Sequence, residues 1–136
     1  MSLVLDASAA LALAFRDGDP ALAERTEARL AAGGAVVPQH WPLEVANSLL
    51  IALRRGRLSP ASADRARELL LALPVDVDQS TGEFAWSRGF ALAERLGLTV
   101  YDAVYLELAL RLDAPLATLD QTLARAAREA GATLLA

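Results

Sequence analysis

Short apolar segments alternate along this chain with longer segments that favour helices. Apolar runs of this length, without polar alternation, are typical of strands in a parallel sheet that is covered on both faces. Parallel strands also need crossover connections, which the intervening helices supply. The pattern therefore predicts an α/β fold in which a short-stranded, mainly parallel sheet lies inside a three-layer α/β/α sandwich. The predicted strands are Leu3–Leu5, Ala35–Val37, Val75–Val77, 115–118 and 133–135.

Glycine, proline and capping residues mark the ends of the predicted helices. Asp19 before Pro20, and Ser59 before Pro60, each place a capping side chain ahead of a proline at the first helical position. With 136 residues, the whole chain, 1–136, is predicted to form a single domain. The predicted helices are 7–15, 20–32, 43–55, 60–73, 82–96, 100–112 and 121–130.

Two residue types are missing from the sequence, and their absence limits the chemistry. There is no cysteine, so disulfides, thiolate metal sites and cysteine catalysis are excluded. All 13 basic residues are arginine, which excludes Schiff-base chemistry and phosphate-binding loops that end in Gly-Lys-Ser/Thr. The net charge of −4 argues against a basic, sequence-reading nucleic-acid binder. Nucleic acid stays open as a substrate, because bound divalent cations would neutralise a cluster of acids.

The sequence has neither the pattern of a membrane span nor that of a signal peptide. No apolar run approaches the ~18–20 residues that a spanning helix needs. The first strand begins at once, without a basic region and a cleavage site before it. These features predict a cytoplasmic protein.

Three aspartates stand where predicted elements meet one edge of the sheet. Asp6 follows the first strand, Asp120 follows the fourth, and Asp102 lies at the start of the helix over 100–112. In parallel α/β folds the active site lies beyond the carboxyl ends of the strands. Each aspartate also has a structural interpretation, because Asp is favoured as a helix cap and in the first helical turn. Their convergence on one edge favours a functional site over separate caps.

The helix over 100–112 carries a carboxylate on an apolar face. At about 100° per residue, Asp102 lies in line with Leu106. Glu107 and Arg111, four residues apart, are predicted to form a solvated face on the opposite side. A carboxylate in line with a buried stripe is costly unless a positive or hydrogen-bonding group meets it. Asp102 is therefore expected to have such a partner.

Four short motifs, each with one acid, follow one another along the chain. They are VLDASA at 4–9, PLEVANSL at 42–49, YDAVY at 101–105 and LATLD at 116–120. This ordered set resembles the motifs of the PIN domain, the nuclease fold of the VapC toxins of bacterial and archaeal toxin–antitoxin pairs. The resemblance covers the chain from end to end and implies a PIN-like sandwich.

The resemblance further implies that the acids of the four motifs bind one or two Mg²⁺ or Mn²⁺ ions and hydrolyse RNA. Hard divalent cations prefer carboxylate oxygens as ligands. A metal-bound water of lowered pKa would attack the phosphorus, and the products would carry a 5′ phosphate and a 3′ hydroxyl. The expected catalytic residues and metal ligands are Asp6, Glu44, Asp102 and Asp120.

Residues beside the acids are expected to orient them through hydrogen bonds, and the resemblance assigns this role to Ser8, Asn47 and Thr118. Glu44 itself has two interpretations. On the helix over 43–55 the apolar side chains face away from it, so spacing alone predicts a solvated surface residue. Only the resemblance places Glu44 at the site.

His40, the single histidine, is interpreted as a loop residue between Gln39 and Trp41. The roles of Arg54, Arg55 and Arg57 stay open between a favourable helix C-terminus and contacts with an RNA backbone.

The resemblance also implies partners. It predicts a homodimer that is the toxin of a type II pair, silenced by a cognate VapB-type antitoxin, with RNA as the substrate. The alternative is a catalytically silent interaction module that keeps the PIN fold. A metal-free ribonuclease fits poorly, because one histidine is a poor supply of proton-transfer groups.

Overall fold

The computed structural model describes residues 2–135, and its centre is a sheet of four short parallel strands. Every pairing between neighbouring strands is parallel, and the strand order is β3-β2-β1-β4. The predicted α/β fold is therefore confirmed. The strands are β1 Leu3–Leu5, β2 Ala35–Val37, β3 Val75–Val77 and β4 Leu116–Ala117.

Helices cover both faces of this sheet and complete a three-layer α/β/α sandwich. Helices α1 to α4 pack on one another, and helices α5 to α8 form a second group around α7. Within residues 2–135 no helix is long and apolar enough to cross a membrane. The helices are α1 Ala7–Phe15, α2 Pro20–Gly33, α3 Trp41–Arg54, α4 Pro60–Ala72, α5 Thr81–Ala85, α6 Arg88–Leu96, α7 Val100–Leu112 and α8 Gln121–Glu129.

Strand β1 is the centre of the hydrophobic core, and all three of its residues are fully buried. Val4 pairs with Val36 of β2 on one side and with Leu116 of β4 on the other. The hydrogen bond from Asp6 N to Ala117 O, at 3.1 Å, continues the second pairing past the end of the strand. The carboxyl ends of β1 and β4 are therefore adjacent, which brings the segments that follow them together.

The predicted strand at 133–135 forms only a single bridge beside β4. Leu134 pairs with Leu116, supported by hydrogen bonds from Leu116 N to Thr133 O and from Leu135 N to Leu116 O, each at 2.9 Å. The predicted position in the sheet is correct, but the predicted regular strand is wrong. Since β4 has only two residues, it offers a neighbour little length to pair with.

The single helix predicted over 82–96 is wrong, because the chain breaks between α5 and α6. Ser87 has non-helical backbone angles of φ −121° and ψ −102°. Gly89 follows in close contact with α5, and a Cβ there would lie 2.8 Å from the carbonyl oxygen of Phe84. The break allows both short helices to pack against α7.

The predicted solvated face of α7 is also wrong, because α5 and α6 cover it. Glu107 is only 2% exposed, and its carboxylate accepts a hydrogen bond from Arg111 Nε at 3.0 Å. The same guanidinium donates to Asp78 at 2.7 and 3.2 Å and lies 4.1 Å from the centre of the Phe84 ring. Asp78, Glu107 and Arg111 therefore form a largely buried ion cluster, which we call the Arg111 cluster.

Candidate active site

The four predicted acids come from four different elements that meet at the carboxyl edge of the sheet. Asp6 follows β1 and caps α1, while Asp120 follows β4 and caps α8. Asp102 lies in the first turn of α7, and Glu44 lies in the first turn of α3. Their charges interact, since Asp120 raises the pKa of both Asp6 and Asp102, and Glu44 also raises that of Asp102. The fold thus brings the elements that carry the four acids to one edge of the sheet.

Asp6 is 5% exposed and is held by three hydrogen bonds. Its Oδ1 accepts from Ser8 Oγ at 2.7 Å and from Ala9 N at 2.9 Å, and its Oδ2 accepts from Thr118 Oγ1. Burial nevertheless raises its pKa above the ordinary value, and the charge of Asp120 acts in the same direction. An ionised Asp6 is therefore well oriented but poorly compensated.

The two hydroxyls predicted to orient Asp6 also tie it to the segment after β4. Ser8 Oγ accepts from Leu119 N at 2.9 Å, and Thr118 Oγ1 accepts from Asp120 N at 3.0 Å. Each hydroxyl thus donates to Asp6 while it accepts from the backbone around Asp120. Ser8 and Thr118 lie where the prediction places them and fix two of the acids relative to each other.

Asp120 uses one of its carboxylate oxygens for the fold. Its Oδ1 accepts from Thr122 N at 2.9 Å and from Leu123 N at 3.2 Å, which caps α8. No hydrogen bond found among residues 2–135 reaches Oδ2. This oxygen is therefore free to bind another group.

The expected partner of Asp102 is weak: no ion pair found among residues 2–135 reaches its carboxylate, and only Thr99 and His40 act to lower its pKa. The residue is half-buried, and its backbone N donates to the Oγ1 of Thr99, which caps α7. Burial raises its pKa, and the nearby charges of Asp120 and Glu44 raise it further. Burial and additional negative charge thus outweigh the effects of Thr99 and His40 at Asp102.

Glu44 is held against α7 by two residues that sequence reasoning did not assign to the site. Tyr105 Oη donates to Glu44 Oε1 at 2.7 Å, and His40 Nε2 lies 3.0 Å from the same oxygen. Burial acts to raise the pKa of Glu44, but the hydrogen bonds from His40 and Tyr105 outweigh it and leave that pKa lowered. Glu44 is therefore not the freely solvated residue that helix spacing predicts.

Tyr105 could have been found from the sequence, because it lies one helical turn after Asp102. A tyrosine inside an apolar helix usually needs a partner for its hydroxyl. Tyr105 is 1% exposed, and burial together with the Glu44 carboxylate raises its pKa, so it stays a neutral donor. His40 lies in the turn before α3, in agreement with its interpretation as a loop residue, and its ring also lies beside Glu44.

Asn47 does not join the acids. It is exposed on α3, and its side chain takes part in none of the hydrogen bonds found among residues 2–135. The residues that orient Glu44 are Tyr105 and His40, not Asn47.

The donor set suits a hard divalent cation, which prefers several carboxylate oxygens and keeps water as its other ligands. Burial, together with nearby like charge, raises the pKa values of Asp6 and Asp102, and a bound cation would offset both effects. In the described part of the chain, no three Asp, Glu or His side chains already stand close enough together to hold an ion. Several of the oxygens instead accept hydrogen bonds from the protein.

The chain is similar in sequence and in fold to known proteins. Ribonuclease VapC3 of Mycobacterium tuberculosis is 39% identical over 126 residues, covering 91% of this chain and 86% of that protein. Ribonuclease VapC3 of Pyrobaculum aerophilum is 35% identical over 128 residues, covering 91% of this chain and 93% of that protein. The crystal structure of PAE2754 from Pyrobaculum aerophilum matches with a TM-score of 0.68 and 25% identity, over 93% of this chain and 79% of that chain.

The family assignment rests on the length of these matches as well as on the site. The sequence model of the PIN domain matches residues 3–129, which include all four acids. The chain belongs to the PIN domain family and groups with its VapC-type members.

Proposed function

We propose that this protein is a Mg²⁺- or Mn²⁺-dependent endoribonuclease and the toxin of a type II toxin–antitoxin pair. The observation that carries the proposal is the convergence of four carboxylates, from four elements, on the carboxyl edge of the sheet. Two of them have raised pKa values because of burial and like charge. Relatives that are 39% and 35% identical carry the name ribonuclease.

The four acids would share the binding of one or two cations. When bound, such a cation supplies a water of lowered pKa and a positive charge beside the phosphate. The ligands would be Asp6, Glu44, Asp102 and Asp120.

The remaining residues of the site hold these acids in place. Ser8 and Thr118 fix the Asp6 carboxylate, and Tyr105 fixes Glu44 through a neutral hydroxyl. The N-termini of α1, α7 and α8 also begin at this edge, and their partial positive charge favours an approaching phosphate. The chain itself thus supplies orientation and part of the compensating charge.

The purified protein is expected to cleave RNA only when Mg²⁺ or Mn²⁺ is present. The cut ends should carry a 5′ phosphate and a 3′ hydroxyl, because water rather than the ribose 2′ hydroxyl is the attacking group. End-labelled RNA, analysed with and without EDTA, measures both properties. Undiminished cleavage in EDTA, or 2′,3′-cyclic phosphate ends, would refute a metal-dependent hydrolysis. Absence of cleavage on all RNA with metal present would favour the silent interaction module.

An apolar groove between α3 and α4 supports the proposal of an antitoxin partner. It encloses about 340 Å³. The indole Nε1 of Trp41, which lines it, is buried without a hydrogen-bond partner in the described part of the chain. Leu50 stays 40% exposed, and Leu71 is 79% exposed. An apolar antitoxin segment would match this lining, and an arginine of the antitoxin would suit the acid cluster. Other lining residues are Val45, Leu49, Leu53 and Leu70.

Coexpression with the product of the adjacent gene is expected to give a complex that does not cleave RNA. Leu50→Arg should weaken that complex by about 10-fold or more, because it places a charge in the apolar groove. Leu110→Arg is the matched control, since Leu110 is 37% exposed but lies on α7, outside the groove. Titration calorimetry measures the affinities, and RNA cleavage by each free variant checks its fold. Equal affinities for the two variants would reject the groove, and full cleavage by the complex would reject inhibition.

We also propose a homodimer. Several large apolar side chains outside the groove are exposed, including Trp86 at 85% and Phe90 at 50%. Apolar surface of this kind on a small domain favours association, and a symmetric pair is the commonest arrangement. Light scattering at tens of micromolar is expected to give the mass of a dimer, and the mass of a monomer would refute this proposal.

A further inference from the structure

His40, the single histidine of the chain, lies between the two helices that carry Glu44 and Asp102. Its ring centre is 5.7 Å from that of Tyr101 and 5.2 Å from that of Tyr105, both on α7. Its Nε2 lies 3.0 Å from Glu44 Oε1 and 3.1 Å from the carbonyl oxygen of Tyr101. One side chain thus contacts α3 and the first turns of α7 together.

The partners of Nε2 determine where the proton of the ring stands. A carboxylate oxygen and a backbone carbonyl oxygen both accept hydrogen bonds and cannot donate them. Nε2 therefore carries a hydrogen and donates it to both oxygens. A nitrogen engaged in this way is not available to transfer a proton to a substrate, so the geometry assigns it a holding role.

The groups that His40 joins are the ones that repel each other. Tyr101 directly precedes Asp102 on α7, and the negative charge of Glu44 on α3 acts to raise the pKa of Asp102. A donor bound to the Glu44 carboxylate and to the backbone next to Asp102 fixes the distance between these acids against that repulsion. Packing of α3 and α7 alone supplies no such link, because the contact of Tyr105 with Glu44 does not include the backbone at Asp102.

His40 and Tyr105 also decide which oxygen of Glu44 stays free. Both donate to Oε1, and no hydrogen bond found among residues 2–135 reaches Oε2. A carboxylate held at one oxygen has a defined direction for the other, which lowers the ordering cost of binding a further group. Outer hydrogen bonds of this kind orient metal ligands in proteins.

We propose that His40 is a positioning residue which, through its Nε2–H, holds Glu44 beside the first turn of α7, which carries Asp102, with Oε2 of Glu44 free to bind a cation. This inference rests on the proposed function, because it assumes that these acids are the metal ligands. It adds a residue that none of the four acidic motifs assigns to the site.

Two substitutions separate the hydrogen bond from the packing of the ring. His40→Phe keeps a ring against Tyr101 and Tyr105 but removes the donor. His40→Gln removes the ring but returns an N–H close to the position of Nε2. Gln39→Ala is the matched control, because Gln39 is an exposed neighbour whose side chain does not contact Glu44.

The main measurement is Mn²⁺ binding to the RNA-free protein by calorimetry, with kcat and KM for RNA cleavage measured beside it. His40→Phe is expected to weaken Mn²⁺ binding and lower kcat by about 10- to 100-fold, the usual effect of losing an outer hydrogen bond. His40→Gln and Gln39→Ala should stay close to the wild type. In a Glu44→Gln background, His40→Phe should have no further effect on Mn²⁺ binding.

The relative Mn²⁺ affinities of His40→Phe and His40→Gln test the positioning role. Wild-type Mn²⁺ affinity in His40→Phe, a greater loss in His40→Gln than in His40→Phe, or full additivity with Glu44→Gln would each overturn the positioning role. If the wild-type protein binds Mn²⁺ but cleaves no RNA, the proposed function is refuted. Mn²⁺ binding by the His40 variants would then still test the positioning role. Wild-type protein that binds no Mn²⁺ would overturn both.

Discussion

Asp102→Asn is expected to lower RNA cleavage at saturating Mg²⁺ by roughly 100- to 1000-fold, because a lost ligand removes several kcal/mol of charge stabilisation. The same substitution should raise the melting temperature of the metal-free protein. Burial and the charges of Asp120 and Glu44 hold the pKa of Asp102 above its ordinary value, so its ionisation disfavours the folded state. Activity and stability should therefore move in opposite directions.

The stability difference between the wild type and Asp102→Asn should depend on pH. Below the unfolded pKa of an aspartate, near 3.8, the carboxyl is protonated in both states and does not affect stability. As the pH rises through the raised folded value, the wild type pays the full cost of the charge, and the asparagine variant does not. The difference in melting temperature between the two proteins should be small at about pH 3.5 and should reach a plateau toward neutral pH.

Thermal unfolding in EDTA, followed by circular dichroism, measures this difference. Glu94→Gln is a suitable control, because Glu94 is exposed on α6, away from the acids. It should change neither cleavage nor the pH profile. A lower melting temperature for Asp102→Asn at neutral pH would show that Asp102 is compensated in the fold and does not belong to a repulsive cluster.

Arg111→Leu is expected to lower the free energy of unfolding by about 3 kcal/mol or more, because it leaves a buried carboxylate without its partner. Glu107 has a side chain that is 3% exposed, and its only ion-pair partner found in residues 2–135 is Arg111. The guanidinium also holds Asp78 with two hydrogen bonds, at 2.7 and 3.2 Å. The substitution thus disconnects α7 from the segment that follows β3.

The double variant Glu107→Leu with Arg111→Leu is the matched control. It removes the stranded charge as well as the cation, so at least half of the lost stability should return, by the general behaviour of buried ion pairs. Urea unfolding at pH 7 measures both variants. A double variant less stable than Arg111→Leu would mean that packing, and not an unpaired charge, dominates the loss.

The Arg111 cluster also predicts a dependence on pH. Hydrogen bonds from Arg111 hold the pKa of Asp78 below its ordinary value of 3.8. The stability from this pair is therefore fully present above that value and is lost as the pH falls through the lower folded value. The gap in stability between wild type and Arg111→Leu should accordingly narrow at acidic pH.

The parts of the fold that follow from local pattern were predictable from the sequence. Three-residue apolar runs such as Leu3–Leu5 suit only strands that are buried on both faces. Since parallel strands end at the same edge, the positions of Asp6 and Asp120 after β1 and β4 also predicted their proximity. Ser8 and Thr118 lie where the motifs place them, within hydrogen-bonding distance of Asp6.

The incorrect sequence predictions concern residues that another element covers. Helical periodicity shows which side chains share a face, but it does not show what packs on that face. Glu107 was predicted to be solvated for this reason, although α5 and α6 enclose it. The positions of Glu44 and His40 depend in the same way on Tyr105 and Tyr101, which are 61 residues away in sequence from their respective partners.

The break between α5 and α6 has a similar origin. No proline marks it, and only Ser87 and Gly89 weaken the helical pattern there. Its cause is a close backbone approach, since Gly89 lies against the Phe84 carbonyl and Val104 of α7. A constraint of this kind becomes visible only when the neighbouring helix is in place.

The helix caps at the site separate acids that stabilise the start of a helix from acids that do not. Asp6 and Asp120 accept backbone N–H groups at the starts of α1 and α8, and losing such a cap costs about 1 kcal/mol. Asp102 and Glu44 cap nothing, since Thr99 caps α7 and α3 begins without a side-chain cap.

A lineage of this fold that abandoned RNA cleavage would still benefit from a capping side chain at positions 6 and 120. It would gain stability by discarding the repelling carboxylate at position 102. In a newly determined genome, an acid kept at position 102, rather than acids kept at 6 and 120, is therefore expected to distinguish a working nuclease from an inert scaffold.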